Sequence, residues 1–233
     1  MAKLVENTFR FINISFVNEM ALLCDKLGVN VWEVIEAARS KPFAFMPHFP
    51  SAGVGGDCIP VVPLYLDASA RDHGMRAELI QAAEHINDAM PILMVDKLAQ
   101  ALSERGKALD DSTVLLVGVT YKPDIADLRE SAALRVFAEA ERRGAVVHYH
   151  DPLIPTLLMG NRQVSSTALT PDMVRAMDAV VLLTGHKDLD YPMMLQESHL
   201  IIDTGSGLNP RVGPNVVNVW VPAGGPQRVA LLA

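Results

Sequence analysis

Cys58 lies in the stretch S-A-G-V-G-G-D-C-I-P-V-V-P-L-Y-L, between the glycines Gly53, Gly55 and Gly56 and the prolines Pro60 and Pro63. Glycines let backbone take up φ > 0 and come close to a ligand, and prolines pre-set the turn into a helix. Free cysteine is more often a small buried hydrophobe, but a thiol on such a rigid, open loop is held out as a nucleophile. Lys3 and Asn7 are four residues apart in a helical pattern and share one helix face. A second stretch, T-Y-K-P-D-I-A-D-L-R-E-S at residues 120–131, follows a strand and precedes a helix. It brings Lys122 and Arg129 to a helix N-terminus, which makes an anion site. The plainer alternative pairs those cations with Asp124 and Asp127 as solvated loop charges. No G-x-G-x-x-G accompanies this turn, so an ordinary pyrophosphate cradle is not expected there.

Other residues read more plainly. Cys24 falls in an apolar helix face and is core filler. His48 has no carboxylate or second histidine at metal spacing, and His148 and His150 read as polar strand-end residues, so no metal site is expected. Asp203, at the end of a strand, caps the turn that follows it.

The elements that position these residues follow from periodicity. Residues 3–27 carry apolar side chains at helical spacing with Gly28 as C-cap, and Asn30 caps a helix over 31–38. Residues 39–58 form a long loop with Pro42, Pro47 and Pro50. Helices are expected over 64–72 and 77–102, with Pro91 kinking or breaking the second. From residue 107 the pattern alternates: strands at 114–119, 146–149, 179–183 and 200–202, helices at 130–143 and 171–177, and an edge strand at 216–219. The fold class is therefore α/β: an all-helical part over 1–105, then a Rossmann-like open parallel sheet over 106–233 with helices on both faces. In such a sheet ligands bind beyond the carboxyl ends of the strands, where the 120–131 stretch falls.

Composition narrows the classes. The 233 residues are half hydrophobic and carry a net charge of −7, which fits a globular chain and offers no basic face for nucleic acid. Two cysteines cannot build a disulfide framework and point to a reducing, cytoplasmic compartment. No apolar run approaches the length of a membrane span, and residues 1–10 lack a signal-peptide core. The abrupt helical start suggests a fragment of a longer chain.

Three motifs in order carry a resemblance. A-K-L-V-E-N-T at 2–8, G-V-G-G-D-C-I-P at 53–60 and Y-K-P-D-I-A-D-L-R-E-S at 121–131, with Tyr149-His150-Asp151-Pro152, resemble the central and C-terminal parts of the UDP-glucose/GDP-mannose dehydrogenase family. The wording is most similar to the branch acting on UDP-N-acetylhexosamines (mannosamine or glucosamine), with UDP-glucose as the alternative. The resemblance implies oxidation of a UDP-sugar C6 alcohol to the uronate with two NAD, through a cysteine thiohemiacetal and thioester, in polysaccharide biosynthesis. It implies Cys58 as nucleophile and Lys3 and Asn7 as oxyanion and substrate ligands. It implies Gly53, Val54, Gly55 and Gly56 as backbone contacts to the sugar nucleotide, Tyr121 and Lys122 as substrate contacts and Arg129 as a cofactor contact. The helix over 77–102 would form a homodimer interface.

The chain departs from that pattern in three places. Val62 stands where the family usually has an aspartate four positions after the cysteine, and valine cannot move a proton. Asp57 stands where the related branch often has histidine, and a carboxylate beside a thiol disfavours the thiolate. No NAD-binding Rossmann segment with a glycine fingerprint occurs in these residues, so the chain alone is expected not to transfer hydride. A non-catalytic nucleotide-sugar-binding relative, and a structural dimerisation module in which Cys58 is incidental, are the competing readings.

Overall fold

The computed structural model describes residues 1–205 and 213–222. The helical part is built on α1 (Ala2–Leu27) and α4 (Glu78–Ser103), which pack together, with α2 (Val31–Arg39) and α3 (Val62–Asp72) against α1. Gly28 closes α1 in the left-handed conformation (φ 69°), and the Asn30 side chain accepts from Trp32 N–H to cap α2. Helix α3 starts two residues earlier than its spacing suggests, because Pro63 is tolerated in the first turn of a helix.

Helix α4 runs through Pro91 as one helix, so Pro91 does not break it. Its apolar stripe is mostly internal: Ile80, Ala83, Met90, Met94, Leu98 and Leu102 are all buried. Most of that stripe packs inside the chain's own core, while Leu79 and Ile92 of the same helix are exposed.

The sheet has the order β2-β1-β5-β6-β7, all parallel: β1 (Thr113–Val117), β2 (Val146–His150), β5 (Ala179–Leu182), β6 (Ile201–Asp203) and β7 (Val216–Asn218). Between β1 and β2 runs α5 (Ala132–Arg142), and α6 (Pro171–Arg175) precedes β5. The chain goes one way from β1 to β2 and the other way to β5, so the switch point lies between β1 and β5. β1 and β5 are buried along nearly their whole length, as a sheet covered on both faces requires. Three elements escaped the sequence reading: the hairpin β3 (Thr156–Met159) and β4 (Arg162–Ser165), turning at Gly160 with φ 60°, and the seven-residue α7 (Tyr191–Glu197) capped by Asp190.

One apolar cluster crosses from the helices into the sheet. It holds Ala21 of α1, Met94 and Leu98 of α4, Val136 and Phe137 of α5, and Val114 and Leu116 of β1. This shared core fixes the loop before α3 against the carboxyl edge of the sheet. Cys24 belongs to it, and burial pushes its thiol pKa up.

Candidate functional site

Two helices hold the glycine loop by side-chain amides. Asn18 of α1 accepts the Ser51 N–H (2.9 Å), and Asn87 of α4 accepts the buried Val54 N–H (2.7 Å). Ser15 ties the two helices together by donating to Ala83 O (3.0 Å). Pro91 has no N–H to offer the carbonyl of Asn87 four residues back, and Gly53 crosses α4 beside that carbonyl. Asn18 and Asn87 were not singled out in the sequence. The spacing Asn87-to-Pro91 was the available signal.

The glycines meet the second loop. A Cβ on Gly55 would lie 2.7 Å from Tyr121 Cβ and 2.8 Å from Glu130 O, and one on Gly56 would lie 2.9 Å from the Tyr121 ring. Gly56 N–H donates to Arg129 O (2.9 Å). The N–H groups of Val54 and Gly56 are committed within the protein, and Gly55 and Gly56 are small because Tyr121 lies on them. Gly53 and Gly55 remain at a cleft wall.

That cleft, about 290 Å³, sits at the carboxyl edge over the switch point. Its walls are residues 51–53 and Gly55, the β1 end at Thr120 and Tyr121, the start of α5 at residues 131–133, and the β5 end at residues 183–185. Ser131 is the N-cap of α5, but its hydroxyl donates to Val119 O (2.7 Å) instead of capping the helix. The start of α5 at Ala132 and Ala133 lines the cleft, with small side chains there. A helix N-terminus of this kind accepts a phosphate.

The other expected residues lie around the cleft, not on its wall. Cys58 is exposed one turn before α3, its carbonyl accepting the Val62 N–H (3.3 Å). Lys3 and Lys122 are exposed. Asn7 is buried on α1, and its Nδ2 has no hydrogen-bond partner; the neighbouring Thr8 Oγ1 is likewise buried and unpaired.

Arg129 bonds Asp127 through Nε (3.0 Å) and reaches across to Asp57. Its guanidinium holds the Asp127 carboxyl at about 2, below the ordinary carboxylate range, and its own pKa is raised in return. Asp57 is thus turned toward Arg129. Of the solvated pairings read from the sequence, Arg129 with Asp127 forms, while Asp124 accepts the Lys187 N–H (3.1 Å). His150 Nδ1 bonds Thr167 O (2.8 Å), and Asp203 accepts the Gly205 N–H (2.9 Å), as a turn cap does. Among the described residues no group of three metal-ligating side chains comes together, and no helix is long and apolar enough to cross a membrane.

Known proteins sharpen this geometry. The family model for the central domain of the UDP-glucose/GDP-mannose dehydrogenase family matches residues 1–89, and that for its UDP-binding domain matches residues 115–210. The chain belongs to the UDP-glucose/GDP-mannose dehydrogenase family. The cleft joins the two matched regions. An NDP-N-acetyl-D-galactosaminuronic acid dehydrogenase of Ralstonia nicotianae is 35% identical over 88% of this chain and 47% of its own length. A UDP-N-acetyl-D-mannosamine dehydrogenase of Yersinia pestis is 36% identical over 80% of this chain and 45% of its own. The solved UDP-D-ManNAc dehydrogenase of Pyrococcus horikoshii superposes with a TM-score of 0.75 at 31% identity, over 88% of this chain and 47% of that one. The chain spans about half the length of the curated relatives it matches.

For NAD, the cofactor implied by the family, the described residues make no cradle. The turn after β1 has the lone Gly118, whose N–H donates to His150 O (2.9 Å) and whose Cβ position is filled by the Thr184 carbonyl. Arg129, the one expected contact, is bonded to Asp57 and Asp127. These residues do not fit the dinucleotide by themselves.

Proposed function

We propose that this chain is the substrate-binding and pairing portion of a nucleotide-sugar 6-dehydrogenase acting on a UDP-N-acetylhexosamine, with residues 1–105 carrying the cysteine loop and 106–233 the nucleotide site. UDP-glucose is the alternative substrate. The cleft between the glycine loop and the N-terminus of α5 carries the reading. In it the diphosphate lies against the α5 N–H groups, with Lys122 adding charge. Once the C6 alcohol has been oxidised to the aldehyde, Cys58 Sγ loses its proton and adds to the carbonyl carbon, the C=O π pair moves to oxygen, and Lys3 with the Asn7 amide steadies that oxyanion. The dinucleotide is bound by parts of the enzyme other than these residues. Two free thiols fit a reducing, cytoplasmic setting.

Calorimetric titration with UDP and UDP-N-acetylhexosamines tests the reading: saturable binding supports it, and no heat at millimolar ligand overturns it. A second reading, a binding protein without turnover, is favoured by Val62 and by Asp57 turning to Arg129. Fusion to a family NAD-binding domain separates the two. NADH formation supports the enzyme, whereas turnover only after Val62→Asp supports the degenerate relative.

For a homodimer, α1 offers an apolar face in addition to the helix over 77–102. Val5, Phe9, Phe16, Leu23 and Leu27 form an exposed apolar stripe along it, with Val5 and Leu27, and Phe9 and Leu23, symmetric about Phe16. An isologous antiparallel pairing centred on Phe16 covers the whole stripe. Light scattering checks it: a dimer that Phe16→Glu converts to monomer supports α1, and an unchanged mass contradicts it.

A further inference from the structure

Behind the cleft loop lies a buried polar network whose hub, His186, belongs to none of the motifs. His186 follows β5 and is only 1% exposed. Its Nδ1 accepts the Asp124 N–H at 3.0 Å. The ring proton is therefore on Nε2, which lies 3.1 Å from Asp151 Oδ2 and 3.2 Å from Thr120 Oγ1. Thr120 Oγ1 gives its own proton to Lys122 O (3.1 Å), so it receives at Nε2. Asp151 is tied to the sheet edge in turn: Oδ2 accepts Val119 N–H (2.7 Å) and Oδ1 accepts Leu153 N–H (2.9 Å). The Tyr191 hydroxyl donates to His186 O (2.8 Å) and fixes the backbone under the imidazole.

The effect falls on the segment between Thr120 and Asp124. Thr120 N–H donates to Asp151 (3.3 Å), and Thr120 O receives the Thr184 hydroxyl (2.6 Å). At the far end Asp124 adopts φ 60°, a left-handed conformation unfavourable for a residue with a side chain. Its N–H bond to His186 and its carboxylate bond to Lys187 N–H hold it there. Tyr121 and Lys122 sit between these two fixed ends, with Tyr121 pressed on Gly55 and Gly56.

We propose that His186 is a positioning residue for nucleotide recognition: the neutral imidazole latches the 120–124 segment to the sheet edge so that Tyr121 and Lys122 meet the ligand in one conformation. What the segment binds rests on the nucleotide-sugar reading above; the latch itself does not.

Two conservative variants separate the two ends of the latch. His186→Asn keeps an acceptor near Nδ1 for Asp124 N–H, while His186→Gln keeps a donor that reaches Asp151 but leaves Asp124 N–H without its acceptor. UDP titration and amide hydrogen exchange are measured on both variants and the parent. UDP binding should weaken roughly fivefold to tenfold in His186→Gln, the equivalent of one lost hydrogen bond, and recover most of that in His186→Asn. Exchange at Asp124 should accelerate in the Gln variant with the β1 and β5 amides unchanged. Equal binding in all three proteins, or equal losses in both variants with the sheet amides also loosened, would overturn the latch. If the parent fails to bind UDP, the functional reading falls, and the Asp124 exchange in Gln against Asn still decides the latch.

Discussion

The two loops that face each other across the cleft are held in opposite ways. The 51–58 loop hangs from side-chain amides of the helices, Asn18 and Asn87, and ends exposed at Asp57 and Cys58. The 120–131 loop is anchored from below by the buried His186 and Asp151, and its outer charges pair with one another. The first loop thus ends on an exposed thiol, and the second stands on buried hydrogen bonds. Their contact is steric and polar: Tyr121 fills the space that side chains at Gly55 and Gly56 would need, Gly56 N–H donates to Arg129 O, and Arg129 pairs with Asp57.

Substitutions that attack each anchor should separate these roles. The largest effect is expected from Gly118→Ala, where a Cβ meets the Thr184 carbonyl at φ 79°. Neither backbone can yield, so a loss of about 3 kcal/mol or more in denaturant unfolding is expected, as for severe overpacking. Gly55→Ala strikes the contact between the loops, 2.7 Å from Tyr121 Cβ. It should cost about 1–3 kcal/mol and weaken UDP binding as well, because it pries the cleft wall away from Tyr121. Asn87→Ala removes the acceptor of the buried Val54 N–H and should cost about 1–3 kcal/mol by chemical denaturation, with the UDP affinity of the sheet side largely retained. Val62→Asp places a carboxylate in the first turn of α3, which has none, and should raise stability by about 0.3–1 kcal/mol.

The smallest effect belongs to the surface charges. Arg129→Gln should change stability at neutral pH little, because the guanidinium is exposed and solvent screens its pairs. Its signature is in acid. The Asp127 carboxyl titrates at about 2 in the folded protein, below the ordinary value near 4 of an unfolded chain. A depressed folded pKa contributes stability that is present above about pH 4 and is lost as pH falls toward 2. Glu139, held at about 2 by Arg142 and Arg143, adds to the same window. Acid unfolding followed by circular dichroism should steepen between about pH 4 and 2, and Arg129→Gln should flatten the Asp127 part.

Much of this was legible in the sequence because it is periodic or punctuated. The stripe of α4 and the β-branched run of β1 announced themselves, and the match from Gly53 to Pro60 placed the cysteine loop. The hairpin of β3 and β4 was not legible, because four-residue strands carry too little alternation to stand out from a loop. The direction in which the α4 stripe faces was not legible either, since a long apolar face serves a core or a partner equally well. Two residues far apart in the chain met in space without any local mark: His186 and Asp124 are 62 positions apart. Why Gly55 and Gly56 carry no side chain needed the structure, because the Tyr121 side chain lies against them.

The central claim is that a nucleotide diphosphate sits at the N-terminus of α5. Amide chemical-shift mapping during a UDP titration tests it most directly. The account predicts saturable shifts at Ala132, Ala133, Gly55 and Tyr121, with β6 and α2 silent. Shifts confined to other surfaces, or no shifts at millimolar UDP, would contradict it.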